Sequence, residues 1–197
     1  NFVSLIQDYV SRKQFGKKIP QGRMIALVGD AELDEGNVYE CLQEGWKHDL
    51  RNVWWIIDYN RQSLDGVVHE GLSERLGSVF EAFGWNLIIL KYGKLQKEAF
   101  DEPGGHLLKK WIDDCPNQLY SALIYEGGST FKQRILDDIG DQDIVSELIN
   151  KRTDSEFLDL MANLGGHCVQ TLIKVFEKVK DDTPTAFIAY TIKGWGT

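Results

Sequence analysis

Short, nearly continuous apolar runs alternate with stretches of helical periodicity along this chain. Four of the runs predict buried β-strands, because a strand covered on both faces is apolar throughout. A fifth run, residues 118–127, fits either a strand or the end of a helix. The four predicted strands lie in residues 23–30, 52–60, 85–93 and 184–194.

The stretches between these runs predict helices, because their apolar residues recur every three or four positions. We expect Val38, Leu42, Gly45 and Trp46 to face inward, and Ser73 to cap the N-terminus of its helix. The weakly periodic, charged residues 131–150 predict short surface helices. The other predicted helices lie in residues 2–12, 36–48, 73–83, 95–114 (interrupted at 103–105), 155–163 and 166–180.

This order of elements predicts an α/β fold, a mostly parallel sheet with helices on both faces. In such sheets ligands bind at the carboxyl ends of the strands. The residues that follow the four predicted strands are therefore candidates for a site. They are Asp30, Asn60, Gly93 and Lys193.

The composition narrows the function. The chain has 197 residues, 43% of them hydrophobic, and a net charge of −8, so it has material for a core but not for a general nucleic-acid surface. Three widely spaced cysteines predict free thiols in a reducing cytosol. No apolar run or leader pattern predicts a membrane span or a signal peptide. We expect residues 1–197 to form one domain of a longer, cytoplasmic protein.

Asp30 and Asn60 form the main candidate site. If their strands are neighbours, a carboxylate and an amide oxygen share one edge of the sheet, and such oxygen ligands suit Mg²⁺. The backbone carbonyl of Gln62 is a third candidate ligand. A bound cation would also let an anionic ligand lie beside the acidic stretch 30–35. Taken singly, Asp30 fits a helix cap and Asn60 fits a turn.

Five sequence motifs in this order resemble those of the thiamine diphosphate-dependent, transketolase-like enzymes. Among these enzymes the resemblance is to the homodimeric, bacterial-type decarboxylating component of the pyruvate dehydrogenase complex. It extends over residues 24–197. The motifs are "GDAELDEG" (29–36), "NRQSLDG" (60–66), "VFEAFGWNLI" (79–88), "NLGGHC" (163–168) and "AYTIKGWG" (189–196).

The resemblance implies that this chain is the diphosphate-binding domain of its protein. Asp30 and Asn60 would bind Mg²⁺ through their side chains, and Gln62 through its carbonyl. The cofactor-binding residues that it implies are Gly29, Asp30, Ala31, Glu32, Asn60 and Lys193, with the backbone at Ala31 and Glu32 beside the diphosphate.

The implied activity is decarboxylation of pyruvate or a related 2-oxo acid, followed by transfer of the acetyl group to a lipoyl-bearing acyltransferase. The family takes a glutamate from the partner subunit, so the resemblance implies a homodimer and an incomplete site in these residues alone. Two alternatives stay open: ketol transfer of the transketolase type, and a catalytically weakened scaffold or regulatory subunit. A nicotinamide dehydrogenase is disfavoured because no GxGxxG follows the first strand.

Two further residues bear on the predicted cofactor site. Ala31 stands where the family signature has glycine, and a glycine there permits positive φ and a close approach of the backbone to phosphate. At negative φ the alanine would change little. His167 follows two glycines at a helix start, where we expect a capping or packing role.

Overall fold

The computed structural model describes residues 1–13, 22–60, 62–63, 66–67 and 72–196, with the backbone alone for residues 62–63, 66–67 and 72–74. The strands are β1 (Met24–Gly29), β2 (Val53–Tyr59), β3 (Gln62–Ser63), β4 (Gly66–Val67), β5 (Asn86–Leu90) and β6 (Thr185–Tyr190). The helices are α1 (Phe2–Lys13), α2 (Gly36–Lys47), α3 (Leu72–Ala82), α4 (Lys94–Phe100), α5 (Gly105–Asp114), α6 (Asn117–Glu126), α7 (Gly128–Ile139), α8 (Asp143–Asn150), α9 (Asp154–Ala162) and α10 (Val169–Phe176), with a 3-10 helix at Asp30–Asp34.

The predicted α/β class is confirmed. Four strands form a parallel sheet in the order β1-β2-β6-β5. Helices lie between the successive strands of this sheet, as the crossover connections of parallel strands require. β3 and β4 form a separate antiparallel pair, with Gln62 opposite Val67.

The chain divides into two compact units. The first contains residues 1–89 and 176–189, and so most of the sheet together with α1, α2 and α3. Its core is aromatic: the ring of Trp54 lies 5.0 Å from that of Phe187, and the ring of Trp55 lies 5.1 Å from that of Trp85. These aromatic pairs join β2 to its neighbour β6 and to the residue that precedes β5.

The second unit contains residues 90–175 and 190–197 and is mainly helical. Phe131 of α7 is fully buried among the rings of Trp111, Tyr120 and Phe157. The prediction that residues 131–150 lie on the surface is therefore wrong for most of their apolar positions. Their charged residues occupy the outer faces of α7 and α8, which hid the buried stripe in the sequence.

The structure decides two helix predictions that the sequence left open or made from local pattern. The run 118–127, which fitted either a strand or a helix, is helical and lies in α6. Thr153 caps α9, because its hydroxyl accepts the Glu156 N–H at 3.3 Å while the Glu156 carboxylate accepts the Thr153 N–H at 2.8 Å. Ser73 is the second residue of α3 rather than its cap, so that prediction is wrong.

Two burial predictions also fail in the first unit. Ile25 and Leu27 of β1 are 57% and 79% exposed, although an apolar run predicted a strand covered on both faces. β1 is the edge strand of the sheet. An apolar sequence does not by itself ensure that another element packs over such a strand. Trp46 is 63% exposed because Gly45 takes the buried place against Leu50.

Within the described part of the chain, no helix is both long and apolar enough to cross a membrane.

Candidate functional site

The structure places Asp30 and Asn60 after neighbouring strands of the sheet. β1 and β2 pair in parallel, with Gly29 opposite Asp58. Asp30 follows Gly29 directly, and Asn60 lies two residues beyond Asp58. Both therefore leave the sheet at the same edge, which is the arrangement that the sequence required for a shared site.

A single 3-10 turn follows β1 and holds the acidic stretch. It runs from Asp30 to Asp34 and is anchored by Leu33, which is buried. Asp30 is itself 6% exposed, the most enclosed of the described carboxylates. Its Oδ1 accepts the N–H of Ala31 at 3.0 Å. Burying a carboxylate costs free energy unless its oxygens are bound by a cation or by hydrogen-bond donors. A buried carboxylate at the end of a strand is therefore suited to bind a cation.

The side chain of Glu32 closes the same turn. Its Oε1 accepts the N–H of Gly29 at 3.3 Å, and its carbonyl accepts the N–H of Glu35 at 3.2 Å. Glu32 thus has a structural role in shaping the turn, in addition to the predicted role of its backbone. α2 begins directly afterwards at Gly36, so Asp34 and Glu35 lie where the helix dipole favours acids.

The conformation of Ala31 answers the question that its sequence raised. Ala31 lies inside the 3-10 turn, and the non-glycine residues with positive φ in the described chain are Asp49 and Asn52. The backbone at Ala31 therefore does not need the freedom of glycine. The alanine methyl group is half-buried and adds no backbone strain.

Gln62 lies close to this turn. β3, which begins at Gln62, packs its backbone against the 3-10 helix, as do β1 and β2. The predicted turn between Ser63 and Gly66 contains residues 64 and 65, which lie outside the described residues. Asp30 thus begins this short turn, and β2, which ends just before Asn60, and β3, which begins at Gln62, both contact the turn.

This set of groups fits a hard divalent cation by its chemistry. It offers oxygen ligands alone, which suits Mg²⁺ and not zinc. The surrounding charge points the same way, because Glu32, Asp34, Glu35 and Asp58 are exposed acids beside the buried Asp30. An anion would be repelled here without a cation. Among the described residues no group of three or more His, Cys, Asp or Glu side chains forms a metal cluster, so the fit rests on the mixed set above.

Lys193 belongs to the second unit. Its side chain is exposed, and its backbone carbonyl accepts a hydrogen bond from the hydroxyl of Tyr125. The preceding residue, Ile192, donates its N–H to Nε2 of His167 at 2.8 Å. His167 also lies beside Trp195, with the ring centroids 6.4 Å apart. The packing role expected for His167 is thus observed, with a defined hydrogen bond.

Sequence reasoning missed two residues of the second unit. Asn163 accepts the N–H of Leu95 at 3.0 Å, and the thiol sulfur of Cys168 accepts the N–H of Lys94 at 3.3 Å. Together they satisfy the first N–H groups of α4, which begins at Lys94. The single signal in the sequence was their position at the two ends of "NLGGHC".

Comparison with known proteins shows which family this chain resembles. Residues 7–101 match the family model described as "Transketolase, thiamine diphosphate binding domain". The match covers β1, the 3-10 turn, β2 and β3, and so every group of the candidate metal site. This part of the chain is therefore similar to the thiamine diphosphate-binding domain of the transketolase family, and the match confirms the resemblance that the motifs indicated.

Similar curated proteins carry a more specific name than the family model does. The chain is similar to the "Pyruvate dehydrogenase E1 component" of three bacteria. Identity is 25% over 175 residues in Corynebacterium glutamicum, 28% over 185 residues in Buchnera aphidicola subsp. Schizaphis graminum, and 26% over 175 residues in Escherichia coli K12. These matches cover 87%, 91% and 87% of this chain but 18%, 20% and 19% of the relatives. The chain thus spans about a fifth of their length.

Proposed function

We propose that this chain anchors the Mg²⁺–diphosphate end of thiamine diphosphate in a 2-oxo acid dehydrogenase that acts on pyruvate. The observation that carries the proposal is the parallel pairing of β1 with β2, which brings Asp30 and Asn60 to one edge beside the turn against which Gln62 packs. The similarity to pyruvate dehydrogenase E1 components supports pyruvate as the substrate.

Each residue has one task in this proposal. Asp30 and Asn60 bind Mg²⁺ through side-chain oxygens, and Gln62 binds it through its carbonyl. Ala31 donates its N–H to Asp30. The backbone of Ala31, together with that of Glu32 and Gly29, would hold the diphosphate. Lys193 supplies a positive charge for the diphosphate.

Thiamine diphosphate, when bound, would supply a nucleophilic carbon for a 2-oxo acid and a ring that can accept the electrons released by decarboxylation. The residues described above bind and orient it. By the same proposal the acetyl group passes to a lipoyl-bearing acyltransferase, the protein is a homodimer, and it works in the cytoplasm. The three cysteines, which are free thiols, are compatible with that compartment.

The experiment is titration of the intact protein with thiamine diphosphate by calorimetry, with Mg²⁺ and with EDTA. We expect binding that requires the metal. Asp30→Ala and Asn60→Ala should each weaken it by about tenfold or more, because even residues that only orient metal ligands cost 10–100-fold. Asp58→Asn is the matched control: it removes an acid from the same edge, but one whose side chain is exposed.

Two results would contradict the proposal. One is binding that is the same with EDTA as with Mg²⁺. The other is an equal effect of Asp58→Asn and Asp30→Ala, which would reduce the role of Asp30 to general negative charge. Turnover by the intact protein separates the alternatives: pyruvate should be decarboxylated, whereas ketol transfer from a ketose phosphate would favour a transketolase, and metal-dependent binding without either activity would favour a scaffold.

A further inference from the structure

The segment Asn163–Cys168 is hydrogen-bonded to the residue that follows β5 and to the last residue of β6. The N–H of Gly165 donates to the carbonyl of Lys91 at 3.0 Å, and the N–H of Gly166 donates to the carbonyl of Tyr190 at 2.9 Å. Both contacts lie within the second unit. The segment therefore fixes where the chain goes after each strand has ended.

Close approach explains the two glycines. A Cβ atom at Gly165 would lie 2.1 Å from the carbonyl oxygen of Leu90, and one at Gly166 would lie 2.7 Å from that of Tyr190. Neither glycine is among those with positive φ. Space, and not backbone conformation, thus excludes a side chain at both positions, and the next residue, His167, is held against the chain after β6.

The hydrogen bonds around Lys193 hold its backbone from two sides. His167 Nε2 accepts the N–H of Ile192 at 2.8 Å, and Tyr125 donates to the carbonyl of Lys193. Because Nε2 is the acceptor, the neutral imidazole carries its proton on Nδ1. The side chain of Lys193 is left exposed, while hydrogen bonds hold the peptide that follows its Cα and the Thr191–Ile192 peptide one residue earlier.

We infer that His167 is a positioning residue for Lys193: its Nε2 fixes the Thr191–Ile192 peptide, one residue before Lys193, and so limits the backbone conformations from which the ammonium group can reach the diphosphate. This inference rests on the proposed role of Lys193 in binding the cofactor. A charged side chain on a fixed backbone loses less conformational freedom on binding, which raises affinity without any added contact.

The experiment compares His167→Leu with His167→Gln in the intact protein. Leucine keeps the apolar volume but has no acceptor, whereas the side-chain oxygen of glutamine reaches the place of Nε2. We expect His167→Leu to weaken thiamine diphosphate binding by about two- to tenfold, the range of one hydrogen bond, and His167→Gln to restore most of it. A purely packing role would give the opposite order, because leucine fills the space better.

A cycle with Lys193→Ala shows whether His167 acts through Lys193. We expect the effect of His167→Leu on affinity to disappear when Lys193 is already alanine, since residues that act through one contact are not additive. Additive effects would overturn the inference. If Lys193→Ala alone leaves affinity unchanged, the proposed role of Lys193 fails, which is a different result from additivity.

Two measurements on the protein without cofactor test the fastening itself. We expect the amide of Ile192 to exchange its hydrogen more than tenfold faster in His167→Leu, and trypsin to cut faster after Lys193 but not after the exposed Lys180, which lies in a loop of the other unit. Unchanged exchange and unchanged cleavage would overturn the inference. If His167→Leu does not fold, His167→Phe replaces it, because phenylalanine keeps a ring beside Trp195 but has no acceptor for the N–H of Ile192.

Discussion

Replacing Ala31 by glycine tests whether this chain has a weakened cofactor site. The family signature has glycine at this position, so the substitution restores the family residue. If the alanine methyl group blocks the diphosphate or strains the turn, the variant will bind the cofactor much more tightly. If the turn accepts alanine without strain, as its 3-10 conformation indicates, the variant will gain nothing.

The structure sets the expected magnitude. Glycine in a regular segment costs about 0.5–1 kcal/mol relative to alanine through the entropy of the unfolded chain. The methyl group of Ala31 is half-buried, so its loss removes about half of the ~0.8 kcal/mol that a buried carbon of this size contributes. We expect the free energy of unfolding to fall by about 1 kcal/mol and the melting temperature to fall by about 2–4 °C.

The assay is urea denaturation together with calorimetric titration of thiamine diphosphate in Mg²⁺. We expect affinity to stay within about threefold, which is less than about 1 kcal/mol. Ala26→Gly is the matched control: it makes the same change at a half-buried position of β1, and it should lower stability similarly without touching the turn. Affinity that rises tenfold or more in Ala31→Gly, or stability that rises, would refute the account of an unstrained alanine.

Three further predictions concern stability. Phe131→Ala should lower the free energy of unfolding by about 3–5 kcal/mol, measured in urea; a loss below about 1 kcal/mol would place α7 on the surface. Burial raises the pKa of Asp113, but hydrogen bonds from Lys109, Lys91 and a tyrosine outweigh it and hold that pKa below its ordinary value. The stability that Asp113 adds should therefore be complete above about pH 4 and be lost as pH falls through its folded pKa. The free energy of unfolding, measured by denaturation at several pH values, should thus differ less between the protein and Asp113→Asn in acid. A difference that does not change with pH would contradict the lowered pKa. Trp46→Ser should change the unfolding free energy by less than about 0.5 kcal/mol, and a loss above about 2 kcal/mol would mean that the indole is buried after all.

The strands and the site edge could be predicted because both depend on local pattern. Continuous apolar runs locate β1, β2, β5 and β6 to within a few residues, and the acidic and amide residues after them follow from the chain order alone. The sequence left open whether β1 and β2 are neighbours, which is a matter of topology. Parallel pairing with Gly29 opposite Asp58 supplies that answer.

Burial was harder to predict than secondary structure. Phe131 lies among charges in the sequence yet is fully buried, whereas Leu27 lies in an apolar run yet is 79% exposed. In both cases the neighbours that decide burial are distant along the chain. The contacts of Asn163 and Cys168 with the start of α4 are equally non-local, so no spacing rule could have indicated them.

The open face of β1 has a practical consequence for anyone who purifies these residues. A strand at the end of a sheet order offers main-chain donors and acceptors to other molecules, and side chains such as Ile25 and Leu27 make such sheet extension more favourable. Concentrated stocks should therefore self-associate through this edge. Leu27→Lys should reduce this self-association, because the lysine charge at this exposed position lies in water. β1 should stay paired with β2 in this variant.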